Sequence, residues 1–206
     1  MQKKITLAPF RTELYMHKFC VANDAFDQDE LKKIQEYCDQ YLTENSYVIG
    51  HDGLPAKNRN VRVSDIKMHQ PNEKNYWLFQ KLLYISEETN NNFFNFELSG
   101  FEFFQYTEYT GAGSNYNWHI DMVYGENLPK SLQLTRKLSA SLILSDPSEY
   151  KGGEFEIMTG GQDVEKIEQK PGSIIFFPSF TMHRVAPLTE GRRRSIVFWI
   201  LGPKFK

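Results

Sequence analysis

The sequence predicts a single, mainly β domain with flanking helices, and three observations support that prediction. Its 206 residues are enough to bury one sizeable core without disulfides or a structural metal. The chain contains 16 Phe, 11 Tyr and 3 Trp residues, and aromatic side chains favour strands. From Phe93 onward, about seven or eight short strands are separated by turn signals roughly every eight to twelve residues, a spacing typical of a β-sandwich or barrel.

The first part of the chain is expected to combine helices with short strands. Asp27-Gln-Asp-Glu30 carries the residues of a capping box, with Asp27 as the N-cap and Glu30 at the third helical position. Apolar residues recur at helical spacing after it, and again after Pro71. In chain order we expect a strand over 14–21, a helix from 27 to about 43, a polar loop over 45–60, a strand over 61–68 and a helix from 71 to about 92.

The β core is expected to begin at residue 93, where the apolar pattern changes from a helical period to a period of two. Phe94, Phe96 and Leu98 alternate with polar residues, as on a half-buried strand. Glycine and proline mark the turns that follow, for example at Glu190-Gly191. Further strands are expected near 101–106, 116–121, 137–144, 153–158, 164–168, 173–177, 182–186 and 193–201.

The chain is expected to be one domain over 1–206, because it contains no internal repeat and no low-complexity segment. Within it, 1–92 are expected to form a support region of helices and strands, and 93–201 to form the β core that carries the chemistry.

Composition and charge argue against several classes of protein. No apolar run approaches the roughly 18 residues that cross a bilayer, and the start Met1-Gln-Lys-Lys-Ile-Thr6 lacks the apolar stretch of a signal peptide. Cys20 and Cys38 are too few for a disulfide framework or a zinc ligand set. The net charge of -2 gives no basic surface for nucleic acid. We therefore expect a cytoplasmic protein that binds neither membrane nor nucleic acid.

Two histidines and one carboxylate form a candidate metal site. His119 and Asp121 are two residues apart on an expected strand, so their side chains project to the same face. His183 follows on a later expected strand. Two histidines with one carboxylate are the facial triad of non-heme Fe(II) oxygenases, which leaves three coordination positions open. His17, His51 and His69 lack such a partner, and we interpret them as structural, surface or loop residues.

A candidate anion site lies on the last expected strand. Both faces of this strand are largely apolar after Gly191, which predicts a buried, central strand. A buried arginine must be paired or bound to an anion, so Arg193 is expected to bind a carboxylate. Ser195 shares its face and adds a hydroxyl, whereas Arg192 and Arg194 suit a solvated charge run.

Together these residues resemble the Fe(II)- and 2-oxoglutarate-dependent oxygenases, in their prolyl 4-hydroxylase-like branch. The order His-x-Asp, distal His and then Arg within Gly-x-Arg-x-Ser matches that family. The resemblance covers about half of the chain, roughly 101–199. Its further matches are Tyr109-Thr-Gly-Ala-Gly-Ser-Asn-Tyr116-Asn-Trp-His119, Arg136-Lys-Leu-Ser139, Gly152-Gly153-Glu154, Pro171-Gly172 and Phe177-Pro-Ser179.

The resemblance implies a double-stranded β-helix (jelly-roll) core and a set of roles. His119, Asp121 and His183 are expected to be the catalytic iron ligands. The 5-carboxylate of the cosubstrate 2-oxoglutarate is expected to pair with Arg193, with support from the side chains of Ser195, Tyr109 and Trp199. O2 is expected as the oxidant and ascorbate as the reductant, and succinate, CO2 and a hydroxylated C–H bond as the products. Asp121 favours hydroxylation over halogenation, in which a small residue replaces this carboxylate.

Several points stay open at the level of sequence. Tyr106 replaces Tyr109 at the cosubstrate if the strand register differs. The family often has a tyrosine near the cosubstrate on the strand over 138–144; this chain has none there, so Ser139 or Ser141 would take its place. The substrate, a peptide or a small molecule, is expected at the barrel mouth. The loops expected to bind it are 47–62 and 122–136, with Arg59, Arg62, Tyr124 and Glu126.

Peptidyl proline is the first expectation for the substrate, ahead of another side chain or a free small molecule. The principal alternative is a non-enzymatic jelly-roll module that binds a ligand. A hydrolase based on Ser179 and His183 is disfavoured because the chain has no Gly-x-Ser-x-Gly elbow. Oligomeric state is not readable from the sequence.

Overall fold

The computed structural model describes residues 17–41, 60–122 and 134–205, with short pieces at 44–45, 48–49, 55–56 and 58. Two α-helices, α1 (Gln28–Cys38) and α2 (Tyr76–Thr89), lie in the described residues. The described strands are β1 (Cys20–Ala22), β2 (Glu44–Asn45), β3 (Val48–Ile49), β4 (Pro55–Ala56), β5 (Arg62–Val63), β6 (Asp65–His69), β7 (Gly100–Thr110), β8 (Asn115–His119), β9 (Leu134–Ile143), β10 (Tyr150–Gly152), β11 (Phe155–Gly160), β12 (Asp163–Ile167), β13 (Ile174–Pro178), β14 (His183–Val185) and β15 (Leu188–Pro203).

The described strands form two main antiparallel sheets. The larger sheet has eight strands in the order β1-β13-β9-β15-β7-β6-β2, with β10 paired to β15 at its side. The smaller sheet has five strands in the order β12-β11-β14-β8-β5, and β3 pairs separately with β4. This arrangement confirms the predicted mainly β, double-stranded β-helix (jelly-roll) core with flanking helices.

The two faces of the larger sheet pack against different partners. On β15, Ile196, Phe198 and Ile200 belong to a core that also contains the buried residues of both helices. The alternate residues face the smaller sheet, where a second core joins Tyr109 and Phe177 to apolar residues of β11 and β14. β15 lies between β7 and β9, so the prediction of a buried, central last strand is confirmed.

The capping box that starts α1 is confirmed. The Asp27 carboxylate accepts from the Glu30 backbone N–H at 2.9 Å, and the Glu30 carboxylate accepts from the Asp27 backbone N–H at 3.0 Å. The predicted end near residue 43 is wrong, because the helix ends at Cys38. Beyond it the chain turns, with Tyr41 N–H donating to the Cys38 carbonyl, and the Tyr41 ring packs edge-on against His69.

Two strand predictions need correction on either side of α2. The expected strand over 61–68 is broken at Ser64: β5 joins the smaller sheet and β6 the larger, so the chain passes from one sheet to the other here. The alternation that starts at Phe94 is not a strand, because a π-helical turn over Asn90–Phe94 follows α2 and β7 begins only at Gly100. The Asn90 side chain closes this turn by pairing with both backbone groups of Phe96 at 2.9 Å.

Three predicted boundaries shift in the described residues. The first expected strand, 14–21, is seen only as β1, and 14–16 lie outside the described residues. The second helix begins at Tyr76, five residues after the expected Pro71. The predicted turn at Glu190-Gly191 is wrong because both residues lie within β15. Gly191 is required there because an added Cβ would lie 2.0 Å from the Glu149 carbonyl oxygen.

Among the described residues, neither helix has the length and apolar character that crossing a membrane requires. The cytoplasmic location and the single domain over 1–206, divided at residue 93, stay predictions.

Candidate active site

The residues of the candidate metal site meet where two strands of the smaller sheet end. His119 is the last residue of β8 and His183 the first of β14, and the two are direct partners in the antiparallel register. Asp121 lies beyond the end of β8, so the expected strand over 116–121 is too long. Its backbone N–H donates to the Ser179 carbonyl at 2.9 Å, and this bond, rather than strand alternation, holds its side chain near the histidines.

The ligand atoms of these three residues converge on one point. His119 Nε2 lies 3.7 Å from Asp121 Oδ1, and His183 Nε2 lies 3.6 Å from Asp121 Oδ2. One ligand atom from each residue lies within 4.8 Å of the others. This spacing would allow the three donors to bind one metal ion.

Hydrogen bonds fix the direction of both imidazoles. His119 Nδ1 lies 2.7 Å from the Asn117 carbonyl and His183 Nδ1 lies 2.9 Å from the Thr181 carbonyl. A carbonyl only accepts, so each Nδ1 carries the proton and donates it. The lone pair therefore lies on each Nε2, which faces Asp121, as is usual for metal-bound histidine.

The electrostatics of the site also suit a cation. Burial, followed by the neighbouring His183, lowers the pKa of His119 to about 3, so its imidazole is neutral at pH 7. Burial alone would raise the pKa of Asp121, but His183, His119 and Arg136 outweigh it and lower that pKa, so the carboxylate is ionised. Among the described residues Asp121 Oδ2 is buried without a hydrogen-bond partner. Two imidazole nitrogens and an orphaned buried carboxylate oxygen fit Fe(II).

The candidate anion site lies deeper, on the inner face of the larger sheet. Arg193 on β15 is 1% exposed, the largest fully buried side chain among those described. Gln169 Oε1 accepts from Arg193 Nε at 2.8 Å and from Nη2 at 2.6 Å. No carboxylate of the described residues forms a salt bridge with Arg193, whereas Arg192 and Arg194 pair with Glu108 and Glu149.

Three hydroxyl side chains surround the Arg193 guanidinium. Ser195 Oγ lies 3.4 Å from Arg193 Nη1, and the Tyr109 ring centroid lies 5.4 Å from the guanidinium carbon. Burial raises the pKa of Tyr150, and the nearby charge of Arg193 opposes this rise. Tyr106 faces the other side of the sheet, where its hydroxyl donates to Asp39 at 3.2 Å. The structure thus brings Tyr109, and not Tyr106, to Arg193.

Aromatic and basic side chains lie near the metal site. The Trp199 ring is 5% exposed, with the Arg136 guanidinium carbon 3.8 Å from its centroid, and its Nε1 is buried without a partner among the described residues. Arg62 on β5 lies over the Tyr116 ring at 4.5 Å, and Tyr116 stacks on His119. A substrate that reaches the metal site would therefore contact cations and flat apolar rings.

The strand that lacks the expected tyrosine carries small hydroxyl side chains instead. Ser139 and Ser141 are buried, and Ser139 Oγ lies 2.9 Å from Ser179 Oγ. Ser179 therefore pairs with a serine, and Ser139 contributes to the lowered pKa of Asp121. A second tyrosine near Arg193, besides Tyr109, comes from β10 as Tyr150.

Sequence reasoning missed Gln169 and Tyr150 because neither carries a local signal. Gln169 lies between two charged residues, as in a solvated loop, and Tyr150 follows an acidic turn. Arg62 was expected in a substrate loop but lies buried on β5. Much of that loop and most of the second, with His51, Arg59, Tyr124 and Glu126, lie outside the described residues.

The two other described histidines are away from the site. His17 is exposed and touches Phe93 edge-on. His69 is buried and stacks on Phe104 at 4.8 Å, on the helix-covered face of the larger sheet. Their interpretation as structural or surface residues is confirmed.

Comparisons with known proteins agree with this geometry. Residues 104–201 match the model of the 2OG-Fe(II) oxygenase superfamily. A PKHD-type hydroxylase of Synechococcus sp. (strain CC9605) is 37% identical over 91 residues, which are 44% of this chain. The chain spans only 38% of the length of that relative.

Two solved structures show the same fold at low sequence identity. The viral collagen prolyl hydroxylase of Paramecium Bursaria Chlorella virus-1, in a 2OG complex, has a TM-score of 0.68 and 20% identity, over 90% of this chain and 97% of that chain. A prolyl hydroxylase of Trichoplax adhaerens, in complex with a hypoxia inducible factor peptide fragment, has a TM-score of 0.68 and 18% identity, over 89% and 83%.

Proposed function

We propose that this chain is a dioxygenase of the 2OG-Fe(II) oxygenase superfamily, in its prolyl 4-hydroxylase-like branch, and that it hydroxylates an unactivated C–H bond. O2 and 2-oxoglutarate are consumed, one oxygen atom enters the substrate as a hydroxyl group, and the other enters succinate as CO2 is released. The observation that carries the proposal is the pairing of a three-residue metal site with a buried arginine that has no acidic partner among the described residues.

Each residue of the site has a part in this proposal. His119, Asp121 and His183 would hold Fe(II), which would supply O2 activation together with 2-oxoglutarate. Arg193 pairs with the distal carboxylate of 2-oxoglutarate, with Ser195 and Tyr109 beside it. Their burial excludes water, which strengthens the ion pair.

The wall of the site supports a peptide as the substrate. Tyr116 and Trp199 offer flat rings for an apolar ring such as that of proline, and a guanidinium packs on each of them, Arg62 on Tyr116 and Arg136 on Trp199. The Trichoplax adhaerens neighbour is described with a bound peptide fragment. We therefore place peptidyl proline first among the substrates, ahead of another side chain or a small molecule.

Turnover without a substrate tests the class of reaction. The protein is incubated with Fe(II), ascorbate, O2 and 2-oxoglutarate, and succinate is followed by NMR. We expect slow succinate formation that disappears in His119→Ala and persists in the exposed variant His17→Ala. Equal succinate from wild type and His119→Ala would contradict the proposal and favour a non-enzymatic binding module.

Mass spectrometry tests the class of substrate. Proline-containing peptides and the same peptides with alanine in place of proline are incubated under the same conditions. We expect one added oxygen atom on proline peptides alone. Oxygen addition to another residue, or to free amino acids only, would contradict the proline assignment and leave the oxygenase assignment intact.

A further inference from the structure

We infer that Gln169 is a positioning residue that keeps the positive charge of Arg193 available for the distal carboxylate of 2-oxoglutarate. The inference rests on the proposed function and adds the reason why this anion binds. Gln169 lies outside the motifs that resemble the family, between β12 and β13.

The hydrogen bonds of Gln169 allow only one orientation of its amide. Its Nε2 donates to the Gly153 carbonyl at 3.1 Å. A carbonyl oxygen only accepts, so the NH2 group of the amide must face it. Its Oε1 therefore faces Arg193, where it accepts from Nε and Nη2 at 2.8 and 2.6 Å. The amide thus occupies one edge of the guanidinium and leaves Nη1, on the side of Ser195, for another acceptor.

The neutrality of Gln169 matters more than its hydrogen bonds. A carboxylate at the same place would make a bidentate ion pair with Arg193 and cancel its charge. An amide satisfies the same N–H groups without doing so. Arg193 has no salt bridge within the described residues, so its full charge faces the site. A buried cation of this kind costs free energy to fold unless an anion binds it.

Gly153 completes the arrangement. Its φ of +68° favours glycine, and an added Cβ would lie 3.2 Å from Arg193 Cδ and 2.6 Å from Leu188 Cδ1. The same residue thus accepts from Gln169 and makes room for the Arg193 side chain. Both effects orient the guanidinium towards Ser195.

The test compares Gln169→Glu, Gln169→Leu and a matched control, Gln162→Glu, which makes the same change in an exposed turn. Binding of 2-oxoglutarate to the Mn(II)-loaded protein is measured by calorimetry without O2, and thermal unfolding without ligand is measured beside it. We expect the Kd to rise about 10- to 100-fold in Gln169→Glu, because its carboxylate competes for Arg193. In Gln169→Leu it should rise about two- to tenfold, because only orientation is lost.

The two measurements should rank the variants differently. Gln169→Leu should unfold at the lowest temperature, because it leaves buried N–H groups of Arg193 unpaired, yet Gln169→Glu should bind 2-oxoglutarate most weakly. The monocarboxylate 2-oxobutyrate should bind wild type and Gln169→Glu equally.

If Gln169 has only a structural role, Gln169→Leu should show both the lowest unfolding temperature and the weakest binding of 2-oxoglutarate. That result, or an unchanged Kd in Gln169→Glu, would overturn the inference. If wild type itself does not bind 2-oxoglutarate, the proposed function fails first.

Discussion

The inner and outer faces of the eight-stranded sheet are built from alternate residues of the same strands, yet on β15 they differ in polarity. On β15 the outer residues Ile196 and Phe198 are apolar and pack against the helices. The inner residues Arg193 and Ser195 are polar, equally buried, and oriented by a few hydrogen bonds. The outer face therefore supplies stability, and the inner face is suited to binding.

This difference shows how one strand contributes both to stability and to binding. Period-two alternation lets each residue of a strand belong to one layer only, so polar residues of the inner face do not disturb the outer core. Burying Arg193 gains nothing for folding, and the apolar outer core offsets its cost. Variants of the two faces should therefore separate binding from stability.

Removal of a metal ligand should give the largest effect. In His183→Ala one of three donors is lost, and we expect turnover of 2-oxoglutarate to fall at least about 1000-fold, more than variants of outer-shell residues usually cause. Metal titration followed by EPR of Mn(II) should show the loss directly. His17→Ala is the control, and a metal affinity within about threefold of wild type in His183→Ala would contradict the role of His183 as a metal ligand.

An outer-face cavity should act on stability alone. Phe198 is fully buried against Phe101 and Phe176, so Phe198→Ala should lower the free energy of unfolding by about 3–5 kcal/mol. Urea unfolding measures this change, with the exposed Tyr84→Ala as the control. The Kd of 2-oxoglutarate per folded molecule should stay the same, and a large change in it would show that the faces are coupled.

The inner-face counterpart is Arg193→Met, which keeps much of the volume and removes the charge. We expect the Kd of 2-oxoglutarate to rise about 100-fold, or about 2.7 kcal/mol, while the free energy of unfolding falls less than in Phe198→Ala. Arg192→Met, at a partly exposed ion pair with Glu108, serves as the control for calorimetry. A loss of stability as large as that of Phe198→Ala would mean that Arg193 supports the fold.

The smallest effect should be a pH dependence confined to the outer face. Burial, with a smaller contribution from Lys67, lowers the pKa of His69 to about 4, below the value of about 6.5 in unfolded chains. The stability that neutral His69 contributes is therefore complete above about pH 6.5 and is lost as the pH falls towards 4, by roughly 1–2 kcal/mol between pH 7 and 5. His69→Phe should remove this part of the pH dependence in urea unfolding. His17→Phe is the control. If the free energy of unfolding depends on pH in the same way in wild type and in His69→Phe, this role of His69 is wrong.

The sequence predicted the outer architecture well because alternation and capping are local. The capping box at Asp27, the central position of the last strand and the mainly β class follow from neighbouring residues, whereas the jelly-roll class came from the resemblance to the oxygenase family. Predictions failed where a contact with a distant residue determines the local structure. The predicted turn at Gly191 is an example, because this residue lies in a strand where Glu149 approaches its backbone. Likewise Asp121 stands beside His119 because Ser179 holds it, after the strand has ended.

The candidate site shows the same division. The motif from His119 to Arg193 picked out residues that the structure brings into two neighbouring clusters. The partners of Arg193, Gln169 and Tyr150, come from other strands or loops, and their spacing in the chain carries no signal. The choice between Tyr106 and Tyr109 depends on strand register, which only the pairing of Tyr109 with Arg193 reveals.

Dependence of 2-oxoglutarate binding on metal tests the central claim most directly, namely that the histidine–aspartate cluster and Arg193 form one site. Calorimetry without O2 is carried out with and without Mn(II), on wild type and on Asp121→Ala. We predict one 2-oxoglutarate per chain, bound tightly only with Mn(II), and no gain from Mn(II) in Asp121→Ala. Equal affinity with and without Mn(II), or an unchanged gain in Asp121→Ala, would contradict the account.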